Sequence, residues 1–256
     1  IIHEIEHLAE LLGPYEDFVI KPAHGAGGEG ILIITGRQNG RYRMANGALT
    51  DDDELGHHIT NIVGGLYSLG GLPDSALIEY RVKFDPIFEN ISFQGVPDIR
   101  TLVFRGVPVL AMIRLPTRLS DGKANLHQGA IGVGIDLATG RTFTGVWKED
   151  LVKSHPDTGA SLSGRIIPYW DEILALTAQC HDFAGLGLIG VDIVLDKDLG
   201  PMMLEINARP GLSIQLANRI GLLPRLRHIE GFTSIPESVA ERIQIAKDLA
   251  RISFLP

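Results

Sequence analysis

Val191-Asp192-Ile193-Val194-Leu195-Asp196, followed after Lys197-Asp198-Leu199-Gly200 by Pro201-Met202-Met203-Leu204-Glu205-Ile206-Asn207, decides how this chain is read. Both outer runs are rich in Val, Ile and Leu, and the four residues between them are turn formers. The spacing predicts a β-hairpin, and symmetrical closure around the turn sets Asp192 directly opposite Glu205. Side chains alternate along a strand, so Glu205 and Asn207 share one face, and Leu204 and Ile206 share the other. Two carboxylates and an amide oxygen then meet on one patch with apolar flanks. Hard oxygen donors of this kind suit Mg²⁺, whose remaining ligands are waters and substrate phosphates. An amphipathic hairpin with a polar outer face would show the same pattern, so the rest of the chain has to decide.

Composition sets the outer limits. A chain of 256 residues, 45% hydrophobic and 21% charged, can build one large domain or two lobes. The net charge of -8 argues against a nucleic-acid footprint, and no Lys/Arg run suits a membrane surface. The single Cys180 excludes an internal disulfide and fits a reducing, cytoplasmic compartment. No apolar run reaches membrane-spanning length, and no signal peptide opens the sequence. Homo-oligomerisation is compatible with all of this.

Upstream of the hairpin, Phe18-Val19-Ile20-Lys21-Pro22 reads as a strand and Ile31–Thr35 as another. Between them lies His24-Gly25-Ala26-Gly27-Gly28-Glu29-Gly30. A Gly-rich loop lets several backbone N–H groups approach phosphate oxygens. Gly25, Gly27 and Gly30 satisfy G-x-G-x-x-G, but the loop leads into a β-branched run rather than the helix a dinucleotide site needs. Lys21 precedes the loop, unlike the kinase lysine, and no P-loop sequence occurs. Residues 1–12 have helical periodicity, and His3-Glu4-Ile5-Glu6-His7 within them matches the zinc-protease pattern H-E-x-x-H. No third ligand is evident, so a charged helix face is preferred.

The middle of the chain alternates hairpins and helices. Arg41–Thr50 predicts a hairpin around Asn46-Gly47, and Asp51–Glu54 an acidic helix start. Ala76–Val82 is a strand, with a connection between lobes near 79–86. Asp98–Phe104 and Val107–Arg114 predict a hairpin bearing Arg100 and Arg114 on its two arms. Arginines on strands that face a cleft can bind polyphosphate, or form surface ion pairs. Asp121–Gln128 is a polar loop, 129–147 a further hairpin, 148–165 irregular, and 168–184 a helix. One more helix follows Gly211-Leu212-Ser213, and the last begins at Pro236.

The pieces FVIKPAHGAGGEG, LIEYRV, DIRTLVFRGVPVLAMIR, KANLHQGAIGVGID, GVDIVLD and MLEINARPG, in this order, resemble the ATP-grasp superfamily. Within it the chain is most similar to α-L-glutamate ligases and to the glutamate-ligase-like, sugar-transfer-associated proteins. The resemblance covers about residues 14–221. It implies an α+β ATP-grasp fold of two mainly antiparallel lobes, about 1–82 and 83–256, that hold the nucleotide. The usual N-terminal domain and an upstream ATP-binding lysine are not in this sequence, and His24 stands where these ligases often have Arg.

The resemblance also implies roles. Lys21 would contact ATP phosphate, with Gly25, Gly27, Gly28 and Gly30 closing as a lid. Glu79 would accept from the adenine amino group, beside the Tyr80 and Val82 backbone. Asp98 would sit near the ribose, and Lys123 and Asn125 beside the nucleotide. Arg100 and Arg114 would neutralise the transferring phosphoryl group. Asp192, Glu205 and Asn207 would hold Mg²⁺ or Mn²⁺, with Glu205 bridging two ions. Arg209 would orient the substrate carboxylate, or form a structural pair. The implied reaction joins a carboxylate, of a small molecule or peptide, to an amine through an acyl phosphate, with glutamate a candidate partner; the alternative is a nucleotide-binding or regulatory module of the same fold that has lost turnover.

Overall fold

The structure, a computed structural model, describes residues 8–25, 27–68 and 70–252. The H-E-x-x-H pattern lies outside the described residues. The chain divides into two compact units, Ile1–Val82 and Lys83–Pro256.

The first unit contains α1 (Leu8–Leu12), β1 (Phe18–Pro22), β2 (Leu32–Gln38), β3 (Arg41–Met44), β4 (Leu49–Thr50), α2 (Asp52–Val63) and β5 (Ala76–Glu79). Its strands form one antiparallel sheet in the order β4-β3-β2-β1-β5. Alternation along β1 buries Phe18, Ile20 and Pro22 and leaves Val19 and Lys21 on the opposite, half-buried face. Phe18, Ile20, Ile34 and Tyr42 pack with Leu55, Ile59 and Ile62 of α2. That helix starts as the acidic run predicts: the Asp51 carboxylate accepts from the Glu54 backbone N–H, with three further acids in the first turn.

The second unit contains β6 (Asp98–Phe104), β7 (Val107–Leu115), β8 (Ile131–Ile135), β9 (Thr142–Trp147), β10 (Asp150–Val152), α3 (Trp170–Ala184), β11 (Leu188–Asp196), β12 (Gly200–Asn207), α4 (Ile214–Asn218), α5 (Leu222–Glu230) and α6 (Val239–Arg251). Its antiparallel sheet runs β10-β9-β8-β7-β6-β11-β12. One face packs Ile99, Ile113, Val191 and Ile193 against Ile173 and Leu174 of α3. Cys180 belongs to this core, and burial pushes its thiol up, away from nucleophile chemistry. The other face packs Leu102, Leu110 and Met112 against Ile214, Ala217, Ile229 and Leu249. A Cβ at Gly134 would stand 2.5 Å from the Ala217 carbonyl oxygen, so glycine lets α4 lie directly on β8.

Two elements go beyond the sequence expectation. β10 is a short, exposed edge strand inside the stretch read as irregular. The sequence pattern does not predict α5, because Pro224 sits in its first turn, where proline is tolerated but interrupts the apolar pattern.

The β11–β12 hairpin has the predicted pairing by a different route. Its loop is one residue shorter than symmetrical closure requires, with Asp196 opposite Gly200. The Asp196 carboxylate fixes that turn by accepting from the Asp198 and Leu199 backbone N–H groups and from that of Lys83. A bulge at Leu204 then takes up one residue, and Asp192 meets Glu205. Leu204 does not share the inward face expected of it: Met203, Leu204 and Glu205 are exposed in succession, while Ile206 packs on the core.

Candidate active site

On β6 and β7 the face that is apolar under α4–α6 becomes charged toward one end of the sheet, and β11 and β12 extend that charged end. Asp98 and Arg100 continue the Leu102 row of β6, and Arg114 continues the Leu110–Met112 row of β7. The register sets Arg100 opposite Asp192, Asp98 opposite Arg114, and Glu205 opposite Asp192 on its other side. Six residues singled out in the sequence therefore share one patch: Asp98, Arg100, Arg114, Asp192, Glu205 and Asn207.

Their bonding is specific. Arg100 donates from Nε to Asp192 Oδ1, and from Nη2 to Asp192 Oδ2 at 2.6 Å. Arg114 donates from Nε and Nη2 to the two oxygens of Asp98, each at 2.5 Å, and from Nη2 to Asp192 Oδ2 at 2.8 Å. Asp98, Arg100 and Asp192 are buried, and only the Glu205 side chain is largely exposed, at 59%. Asn207 Nδ2 donates to Glu205 Oε1 at 3.0 Å. Gly190 makes room for this crowding, since a Cβ there would stand 2.7 Å from Pro210 Cβ and 3.4 Å from Arg100 Cδ.

The charges act on one another. Burial pushes the Asp98 carboxyl up to about 7, against the downward pull of the Arg114 guanidinium. Burial also opposes ionisation of Asp192, but the bonds from Arg100 and the charge of Arg114 outweigh it and hold the carboxyl below its ordinary value. Burial disfavours the Arg114 cation, yet the Asp98 and Asp192 carboxylates hold its pKa above the usual arginine value. Of the two buried carboxylates, Asp98 thus takes up a proton before Asp192 does.

No group of three or more His, Cys, Asp or Glu that could hold a metal occurs among the described residues. The donor set here is two carboxylates and an amide oxygen, a chemistry that fits a hard divalent cation. Both Asp192 oxygens are engaged by guanidinium groups, so cation binding requires Asp192 to exchange partners. Arg209 is exposed. Asn125 uses its side chain to cap a helical turn at Leu126–Gln128, accepting from the His127 N–H at 3.0 Å. Lys123 is exposed in the loop before it, where its N–H bonds the Ser120 carbonyl. Sequence reasoning missed His155, which is buried, bonds the Pro116 carbonyl through Nε2 and accepts at Nδ1 from the Asp157 and Thr158 N–H groups. An apolar cavity of about 210 Å³, lined by Phe88, Ile113, Val133 and Leu162 among others, carries none of the predicted site residues.

In the first unit, Lys21 and Glu79 are diagonal neighbours on adjacent strands, and Lys21 Nζ lies 2.6 Å from Glu79 Oε2. The Gly-rich loop connects the antiparallel strands β1 and β2 as predicted, and both of its ends are tied down. His24 bonds Asp74 through its backbone N–H and through Nδ1, and Gly25 bridges Ser68. The Gly30 carbonyl lies 2.9 Å from His58 Nε2. A Cβ at Gly30 would meet the Tyr67 ring at 2.6 Å. Between the tethers, Gly27 and Gly28 adopt left-handed backbone angles of +66° and +79°. Tyr80 is exposed and Val82, which ends the unit, is half-buried.

Residues 1–231 match the family model described as sugar-transfer associated ATP-grasp. The tubulin polyglutamylase TTLL11 of Mus musculus is 25% identical over 248 residues, covering 90% of this chain and 32% of that protein. Two solved structures are similar at 14% identity: a RiPP-associated ATP-grasp ligase of Chryseobacterium gregarium, in complex with ADP and a leader and core peptide, and the D-alanine–D-alanine ligase of Bacillus anthracis, complexed with ATP. Their TM-scores are 0.41 and 0.35; the matches cover 97% and 98% of this chain and 52% and 55% of theirs. The chain thus spans about a third of the curated relative and about half of these ligases.

Proposed function

The chain belongs to the sugar-transfer associated ATP-grasp family, and on that premise we propose that it is an ATP-dependent carboxylate–amine ligase. The observation that supports this reading most is the register-fixed patch of Asp192, Glu205 and Asn207 beside Arg100 and Arg114. Metal chelation by two carboxylates and an amide, next to two guanidinium groups, is what phosphoryl transfer to a carboxylate demands.

In this reading a substrate carboxylate oxygen attacks the γ-phosphorus of ATP and the bond to ADP breaks. The amine then attacks the acyl carbon, phosphate leaves, and the amine proton passes to solvent. Mg²⁺, or Mn²⁺, held by Asp192, Glu205 and Asn207 would neutralise phosphate charge and align the triphosphate. Arg100 and Arg114 stabilise the charge that develops on the transferring group. Lys21 and the backbone of Gly25, Gly27, Gly28 and Gly30 bind phosphate oxygens, and Glu79, Tyr80 and Val82 bind adenine. Lys123 and Asn125 lie beside the nucleotide. Arg209 orients the carboxylate, and glutamate is the amino acid that reacts. Asp98, with both oxygens on Arg114, acts through that arginine rather than on the ribose. The single, buried Cys180 is in keeping with a reducing, cytoplasmic setting.

The test is ADP release by the full chain with Mg²⁺, screened across amino acids and acidic peptides. Amine-dependent ADP release supports the ligase. Nucleotide binding without release would make the chain a binding module, and an acid-stable phosphorylated product would make it a kinase.

A further inference from the structure

We propose that Asp98 is a positioning residue: it keeps Arg114 in place while Asp192 passes from guanidinium partners to a divalent cation. The inference rests on the ligase reading of this same patch and adds a division of labour between its two arginines.

The two guanidinium groups are held unequally. Arg114 has a bidentate partner of its own in Asp98 and only a single bond to Asp192. Arg100 has two bonds to Asp192, and its other carboxylate, Glu205, stands 4.0 Å away. When Asp192 turns to a cation, Arg114 loses one bond of three and stays where it is. Arg100 loses its main partner and becomes available to an incoming phosphate. Without Asp98, Arg114 would have Asp192 as its sole carboxylate and would compete with the cation for it.

Charge counting gives the same order of events. Asp98, Asp192 and Glu205 against Arg100 and Arg114 leave one net negative charge. A divalent cation alone reverses that sign in a largely buried patch, which is unfavourable. A polyphosphate arriving with it restores the balance. The cation therefore binds weakly alone and strongly with nucleotide, and Asp98 makes the exchange of Asp192 affordable at the Arg114 end.

The experiment is a calorimetric Mn²⁺ titration of the full chain at pH 8, alone and with a saturating non-hydrolysable ATP analogue. Asp98→Asn, which keeps the shape and one acceptor, is expected to weaken Mn²⁺ binding tenfold or more in both arms. Affinity for the analogue without metal should stay within about twofold. In an Arg114→Gln background the same substitution should shift Mn²⁺ affinity less than twofold, because the arginine it acts through is gone. Unchanged Mn²⁺ affinity in Asp98→Asn, or an equal loss in both backgrounds, overturns the proposal; the latter would mark a plain charge effect. Should Asp98→Asn not fold, Asp98→Glu keeps the charge but displaces Arg114, and an affinity equal to wild type would again refute it. Failure of the wild type to bind the analogue would refute the ligase reading instead, and the Mn²⁺-alone arm would still decide the role of Asp98.

Discussion

Replacing Asp192 by Asn should destabilise the second unit by about 3 kcal/mol, and the structure shows where that figure comes from. Removing one partner of a buried ion pair costs about 3–5 kcal/mol, because the other charge stays buried without compensation. Asp192 is 2% exposed and serves both arginines, but they depend on it unequally. Arg114 retains both bonds to Asp98, so its share of the loss is small. Arg100 is left with an amide oxygen and a carboxylate 4.0 Å away, which places the total at the lower end of the range. For a unit of 150–250 residues each kcal/mol moves Tm by about 2–4 °C, so the melting transition of the second unit should fall by about 6–12 °C. Near-UV circular dichroism at pH 8 would follow it, with the first unit as an internal reference. The wild type adds a pH signature. Asp192 is held below its ordinary value, so its contribution is complete above the unfolded pKa near 3.8 and is lost as pH falls through the folded value. The Asn variant should lack that acid limb. A variant within 1 kcal/mol of wild type, with the acid limb intact, would show that these guanidinium groups do not depend on Asp192.

Glu205→Gln is isosteric at an exposed side chain, so stability should stay within about 0.5 kcal/mol while Mg²⁺-dependent ATP hydrolysis is lost; full turnover in a phosphate-release assay would remove Glu205 from the mechanism. Gly134→Ala places a methyl 2.5 Å from the Ala217 carbonyl oxygen, and overpacking of this kind should cost about 1–3 kcal/mol in urea unfolding; a neutral effect would mean that α4 does not lie on β8. Asp98, raised to about 7, binds its proton more tightly in the folded state, so stability should fall as pH rises from about 4 to 7. Urea midpoints across that range test this: Asp98→Asn should remove the fall, and a rise with pH in the wild type would contradict the burial of Asp98.

The fold was legible where local chemistry and period agree. The acidic start of α2, the Asn46-Gly47 turn between β3 and β4, and the β-branched runs of β2, β6 and β11 each carry a signal within a few residues. The ATP-grasp architecture followed from the order of six short motifs, and the family match over residues 1–231 supports it. What stayed hidden depends on contacts distant in sequence. β10 has almost no sequence of its own and exists because β9 offers it an edge. His155 looks like any loop histidine until the Pro116 carbonyl, 39 positions away, is brought to it.

The patch of charged residues shows the same division more sharply. Residue types and spacing marked Arg100, Arg114, Asp192, Glu205 and Asn207, because the chemistry demands them. Which of them meet depends on register, and a slip of one residue turns a side chain to the opposite face. At the β6–β7 turn Phe104 pairs with Val107, and regular continuation would set Asp98 opposite Ile113. An irregularity between Leu102 and Val103 shifts the ladder so that Asp98 meets Arg114 instead. In the β11–β12 hairpin the turn held by Asp196 and the bulge at Leu204 offset each other, and Asp192 meets Glu205. Each hairpin thus carries a one-residue irregularity between its turn and the charged end of the sheet. Take either away and one carboxylate or one arginine would point into the α3 core, where its charge could not be satisfied. Bulges of this kind leave little trace in a single sequence, so the residues of the site could be listed from the chain alone, while the pairing of Asp98 with Arg114 could be found only in the fold.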